Sequence, residues 1–238
     1  MDYYTRMLKK QENFTLLDGR VKMVHTKYNP TSDAVWLASY VSQEPKTVLD
    51  VGIGTGGVSL CLLSHYPNTK ITGLDISKEM LDSCKENLKL NNANIKLLNQ
   101  DILTWSTTER FDLVITNPPY FNGTPAKHNA HHNADLKSWI KHCCARVAPK
   151  GIFCTIVDAL CADKVIAVLN DCKFGDIHIF PLFSTKNTAE RILIKAKAAS
   201  KTGMTFYCGT SMNNEAILRE GLTIVTLLST LASRKQHD

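Results

Sequence analysis

TVLDVGIGTGGVSLCLLSHY, residues 47–66, decides the fold. TVLDVGI is a short apolar run of strand length, VSLCLLSHY is apolar at helical length, and glycines crowd the junction between them. Strand, glycine turn, helix is the reading that satisfies all three features. Gly52, Gly54, Gly56 and Gly57 allow a tight turn and let the backbone approach a ligand with no side chain in the way. Downstream the pattern repeats. KITGLDI, IKLLNQD, FDLVITN and GIFCTIV read as strands. SKEMLDSCKENLKLNN, opened by Ser77, ADLKSWIKHCCARVAPKG, stopped by Pro149 and Gly151, and ADKVIAVLNDC read as helices. FGDIHIFPLF and AERILIKAKA follow as strands with almost no helix between them. Such alternation predicts an α/β fold, a mostly parallel sheet covered on both faces and closed by an antiparallel hairpin.

Upstream, FTLLDGRVKMV sets Asp18-Gly19 between two alternating runs, which predicts a short N-terminal β-hairpin. Pro30, Thr31, Ser32 and Asp33 then open a helix before an apolar stripe. Near the other end, MTFYC reads as an edge strand, and the last residues as a helix or a frayed tail. No repeat or linker divides the chain. The expectation is a single domain over 1–238, with a hairpin and helix at 1–46, a core at 47–198 and an extension at 199–238.

An apolar fraction of 44% against 21% charged residues suits a globule that buries a proper core. The longest apolar stretch, LTIVTLLSTLA, falls short of the roughly 18 residues of a membrane span. MDYYTRMLKKQENF lacks the apolar run of a signal peptide, so a cytoplasmic protein without a membrane partner is expected. The eight cysteines include no CxxC and lie mostly in apolar segments, as reduced core residues would. A net charge of +6 is compatible with a polyanionic partner without requiring one.

Three carboxylates stand where strands end. Asp75, 21 residues after Gly54, suits a ribose diol. Gly52, Gly54 and Gly57 also satisfy GxGxxG, so a nicotinamide or flavin cofactor fits the glycines alone. Two residues point to S-adenosyl-L-methionine instead. Asp50, two positions before the first glycine, would repel a pyrophosphate but suits a cationic methionyl group. Asp101, in NQDI, can accept from an adenine amino group.

The fourth strand of this series ends in NPPYFNG, residues 117–123. Proline cannot extend a sheet ladder, so Asn117-Pro118-Pro119-Tyr120 is placed for something other than pairing. Together with the glycine loop, it resembles the Rossmann-like class I methyltransferases that methylate planar amino or amide nitrogens. That resemblance covers Thr47 to about Ala198 and implies a seven-stranded sheet. It also implies roles for the signature. The Asn117 side-chain oxygen and the Pro118 carbonyl would accept the two N–H hydrogens of the acceptor, while Tyr120 and Phe121 would stack on its ring. Pro119 would help line the pocket. No metal is required for that chemistry.

Within this class the chain looks most like the bacterial valine-tRNA adenine-N6 methyltransferases of the small-domain group. Those begin with a hairpin and open the next helix with Thr-Asp-Ala or Thr-Asp-Gly. Here Thr31-Ser32-Asp33-Ala34 fills that place with one residue inserted, making Asp33 a candidate substrate-binding residue. The family's Ala-Arg-His-Glu step is Ala130-His131-His132-Asn133 here, so only Ala and His132 match. The loop AKHNAHHNAD lacks an established metal-ligand spacing and reads as a basic lid, with Lys127 the plainest phosphate contact. Lys186 and Arg191 read as solvated charges. The resemblance implies tRNA as partner. A release-factor glutamine is the runner-up, and DNA or ribosomal RNA adenine, or a nicotinamide-dependent oxidoreductase, stays open.

Overall fold

The structure, a computed structural model, describes residues 13–119, 136–184 and 187–234. Strands β1 (Asn13–Leu16) and β2 (Val21–Val24) form the N-terminal hairpin. Its four-residue turn is wider than Asp18-Gly19 alone, with Leu17 and Asp18 both at φ 51°. Helix α1 (Ser32–Ser39) is capped by Thr31, whose hydroxyl accepts from the Asp33 N–H at 3.3 Å. The pattern read from the sequence follows: β3 (Thr47–Val51), α2 (Gly57–His65), β4 (Lys70–Asp75), α3 (Lys78–Leu90), β5 (Lys96–Asn99) and β6 (Phe111–Thr116). Then come α4 (Leu136–Cys144), β7 (Val147–Asp158), α5 (Ala162–Asp171), β8 (Phe174–Phe183) and β9 (Ala189–Ala198).

The sheet runs β8-β9-β7-β6-β3-β4-β5, with β9 antiparallel to both neighbours and the other pairings parallel. Two short strands, β10 (Met204–Phe206) and β11 (Thr210–Ser211), both pair in parallel with β8. This is the Rossmann-like class I methyltransferase fold. The chain leaves β3 toward β4 and β5 and returns on the other side as β6. The carboxyl ends of β3 and β6 therefore flank the switch point where such sheets bind ligands.

One boundary differs from the sequence reading. Helix α4 stops at Cys144 instead of running to Pro149, and β7 already begins at Val147, opposite Phe111. The register slips between Phe111 and Leu113, and Lys150 takes a left-handed φ of 64°. A bulge of this kind tolerates the missing N–H of Pro149.

One face of the sheet packs Trp36, Leu37 and Leu62 together with Leu17 and Met23 of the hairpin. Ile217 of α6 (Glu215–Leu218) and Ile224 of α7 (Ile224–Arg234) join the same core, and the Trp36 Nε1–H donates to the Met212 carbonyl at 3.1 Å. The other face packs Ile140, Phe153 and Leu169 under α4 and α5. Among the described residues, no helix is long and apolar enough to cross a membrane.

Candidate active site

The glycine loop is held by the strand beside it. The Gly52 and Ile53 N–H groups both donate to the Leu74 carbonyl, at 2.7 and 3.1 Å. Gly52 and Gly56 sit at φ 73° and 92°, a conformation that any side chain would strain. Asp75 completes the arrangement: Oδ2 accepts from the Gly54 N–H and Oδ1 from the Ser77 N–H, both at 2.8 Å. A carboxylate oxygen has capacity for a second donor, so Asp75 can hold the loop and still receive a hydroxyl.

Between this loop and the ends of β4 and β6 lies a cleft of about 490 Å³, within the range of small-molecule sites. Gly52, Gly54, Asp75, Asp101 and Asn117 line it, with Ile76, Met80, Ile102 and Trp139 as apolar walls. Ile76 stands 50% exposed at the rim, an apolar side chain that a purine face would cover. Trp139 lies over Gly52, where an added Cβ would stand 3.3 Å from the indole. Its Nε1–H donates to Thr116 Oγ1 at 3.1 Å, and that hydroxyl donates to the Val51 carbonyl at 2.8 Å. Asp101 Oδ1 accepts from the Leu103 N–H at 2.9 Å.

Asp50 and Gly56 sit behind this cleft and line none of it. Asp50 is 1% exposed, and the Ser59 hydroxyl donates to its Oδ2 at 2.7 Å. Burial pushes the Asp50 carboxyl up to about 7; Ser59 opposes the rise and the Asp75 charge adds to it. The native chain then keeps a proton that the unfolded chain releases near about 4. Stability therefore falls as pH climbs between those two values and levels off above the higher one. Asp50→Asn keeps an oxygen for Ser59 and removes the titration. The expected result is a stability difference, variant minus wild type, that is on the order of 2 kcal/mol more positive at about pH 8 than at about pH 5, measured by urea melts.

A second, narrow pocket opens beside the end of β6. Asn117, Pro118 and Pro119 line it together with Asp33 from α1, Asp158 from the end of β7 and Arg191 from β9. Its volume of about 20 Å³ matches one water-sized group, so it suits an amino head whose ring stays at the mouth. Asp33 is 3% exposed and accepts from the Arg191 Nε–H at 3.1 Å. Asp158 Oδ2 stands 3.6 Å from Arg191 Nη1. A third groove, lined by Tyr28, Asn29, Thr31 and Gly54, also reaches Asn117.

Asn117 is thus the residue that all three cavities share. Reading Arg191 as a solvated charge is corrected here: its side chain is 21% exposed and lies between two carboxylates. Lys186, Tyr120, Phe121, Lys127, His132 and the rest of the histidine loop lie outside the described residues. Among the site residues missed are Trp139 and Asp158. Asp158 carried a signal, a carboxylate closing a strand as Asp75 does. Trp139, on a helix well past the loop, carried none.

A class I methyltransferase is what the fold and this cleft define. The model of the methyltransferase small domain matches residues 24–165, and the chain belongs to that family. It is 37% identical over 116 residues to the tRNA1(Val) (adenine(37)-N6)-methyltransferase of Vibrio cholerae, a match covering 47% of this chain and 48% of that protein. It is 40% identical over 76 residues to the release factor glutamine methyltransferase of Streptococcus pneumoniae, covering 32% and 27% respectively. The chain therefore spans about half or less of the length of these curated relatives. Among solved structures, a predicted O-methyltransferase from Agrobacterium tumefaciens superposes with a TM-score of 0.64 at 24% identity, covering 76% of this chain and 88% of that one.

The cofactor of this class is S-adenosyl-L-methionine, and the residues present fit it. The cleft offers apolar walls for a purine, Asp75 for a diol and Asp101 for an amino group. Of the three tryptophans only Trp139 lines the cleft, Trp36 being fully buried and Trp105 outside the lining, so cofactor binding is expected to change chiefly the emission of Trp139. In a titration with S-adenosylhomocysteine, Trp139→Phe should lose most of the fluorescence response and bind about 10-fold more weakly. An unchanged response would place the cofactor elsewhere.

Proposed function

We propose that this chain transfers the methyl group of S-adenosyl-L-methionine to N6 of an adenine in RNA, with tRNA the favoured substrate. The observation that carries this reading is Asn117, which lines both the broad cleft and the narrow pocket, with Pro118 beside it in the pocket. When bound, the cofactor supplies an electrophilic methyl carbon. The chain must supply orientation and a suitable electrostatic field. An adenine amino nitrogen is a poor nucleophile because its lone pair is delocalised into the ring. The Asn117 side-chain oxygen and the Pro118 carbonyl would accept its two hydrogens and favour the pyramidal form that attacks. Proline fixes that carbonyl and brings no competing N–H. Asp75 and Asp101 hold the cofactor's polar ends, while Asp50 and Gly56 shape the loop from behind.

Similarity to a tRNA adenine-N6 enzyme supports the RNA assignment. A second reading is favoured by the glutamine methyltransferase relative, because a carboxamide presents the same planar NH2 head to the pocket. The deciding experiment incubates the protein and methyl-labelled cofactor with unmodified total tRNA, with ribosomal RNA and with release factor. Labelled N6-methyladenosine in digested tRNA is expected. Label only in release factor would replace the first reading with the second.

A further inference from the structure

The acidic end of the narrow pocket has a use that acceptor orientation does not explain. Methylating a neutral amino group leaves one proton too many on nitrogen. We propose, building on the adenine-N6 reading, that Asp158 is the catalytic residue that receives this proton, with Arg191 and Asp33 positioning it.

Strand register places it. Thr116, the last residue of β6, pairs with Thr155 on β7, and beyond that pair Asn117 to Pro119 and Ile156 to Asp158 line the same narrow pocket. On its other side Asp158 pairs across the strands with Arg191. Both of its oxygens are accounted for: Oδ1 accepts from the Leu160 N–H at 2.9 Å, which fixes the carboxylate plane. Oδ2 lies 3.6 Å from the guanidinium, a charge contact longer than a hydrogen bond, and keeps its capacity to take a proton.

The two carboxylates are not equivalent. The Asp33 side chain is 5% exposed and directly bonded to Arg191 Nε, whereas the Asp158 side chain is 31% exposed. Among the described residues lining the pocket, two carboxylates share one guanidinium, and their oxygens face the place where positive charge develops.

The step balances. The acceptor nitrogen's lone pair forms the N–C bond to the sulfonium methyl, and the C–S bonding pair goes to sulfur, which becomes a neutral thioether. The nitrogen, now cationic, turns one N–H from the Pro118 carbonyl to Asp158 Oδ2 and gives up that proton, and water carries it away when product leaves. Arg191 is a positioning residue: it anchors to Asp33 and to the Glu190 carbonyl and holds its charge beside Asp158.

The test compares Asp158→Asn, Asp158→Glu and Arg191→Gln with wild type on unmodified tRNA, under single turnover and at steady state. Binding of S-adenosylhomocysteine and the thermal midpoint are measured alongside. Asp158→Asn is expected to lose about 10- to 100-fold in kcat, with KM for RNA and cofactor affinity each within about threefold. Asp158→Glu should recover part of the rate, and Arg191→Gln should lower kcat more than it raises KM. If Asp158→Asn turns over within about twofold of wild type, the proposal is wrong while the adenine reading stands. A kcat loss that tracks a collapsed thermal midpoint and lost cofactor binding, with no recovery in Asp158→Glu, also overturns it in favour of a structural role. If wild type itself transfers no label to RNA, the adenine reading falls first and takes this proposal with it.

Discussion

Asn117→Ala is expected to slow methyl transfer by about 100- to 1000-fold, while cofactor affinity weakens only about threefold. The asymmetry follows from what the side chain touches. Asn117 lines the cofactor cleft together with thirteen other residues, so truncation removes a small part of that wall. In the narrow pocket its oxygen is one of the two acceptors proposed for the amino hydrogens before transfer, the other being the Pro118 carbonyl. Losing one leaves the nitrogen planar, its lone pair still in the ring, and the cost falls on the transition state. Such a loss appears in kcat and kcat/KM together. Asn117→Asp keeps an acceptor oxygen in nearly the same place and should retain more activity than Ala. Single-turnover rates with saturating enzyme would separate this from slow product release. An Ala variant at wild-type speed with cofactor bound would remove the basis of the functional reading.

Much of this architecture was legible because local pattern and global fold agree. Ser77 caps α3 as its position implied, its hydroxyl oxygen accepting from the Met80 N–H at 3.3 Å. The glycine loop and NPPY each announce a strand end by residues that cannot continue a strand. What stayed hidden depends on distant pairing. Arg191 looks like one more charge on an amphipathic strand until the antiparallel register sets it opposite Asp158 and within reach of Asp33, 158 positions earlier. Asp50 was visible as an acid beside glycine, but its burial depends on β4 and β6 enclosing β3 from both sides. The end of α4 was misplaced because helix and strand compete over Ala145 to Lys150, and pairing with Phe111 decides for the strand. Asp33 illustrates the opposite case: a residue at a helix start could have been the cap, but Thr31 takes that role and leaves the carboxylate for the pocket.

Asn87→Leu is expected to destabilise the fold by about 3 kcal/mol and to weaken cofactor binding with it. Asn87 sits on α3 with no exposed surface, and its amide is paired at both ends. The Val24 N–H of the hairpin donates to its Oδ1 at 2.8 Å, and its Nδ2 donates to the Thr55 carbonyl in the glycine loop at 2.9 Å. One turn later Asn91 makes the same kind of contact outward, accepting from the Lys22 N–H at 2.8 Å. A helix side chain thus stands in for a neighbouring strand along β2, and the same group anchors the cofactor loop. Leucine fills the space but strands a buried N–H on one side and a carbonyl on the other, each costing roughly 1–3 kcal/mol. Asn87→Asp keeps the acceptor for Val24 while setting a carboxyl against the Thr55 carbonyl. It should therefore weaken cofactor binding more than it disturbs the hairpin. Urea melts combined with S-adenosylhomocysteine titrations on both variants test this. The linkage is refuted if Asn87→Leu binds cofactor normally while losing stability, because the hairpin and the loop would then be secured independently.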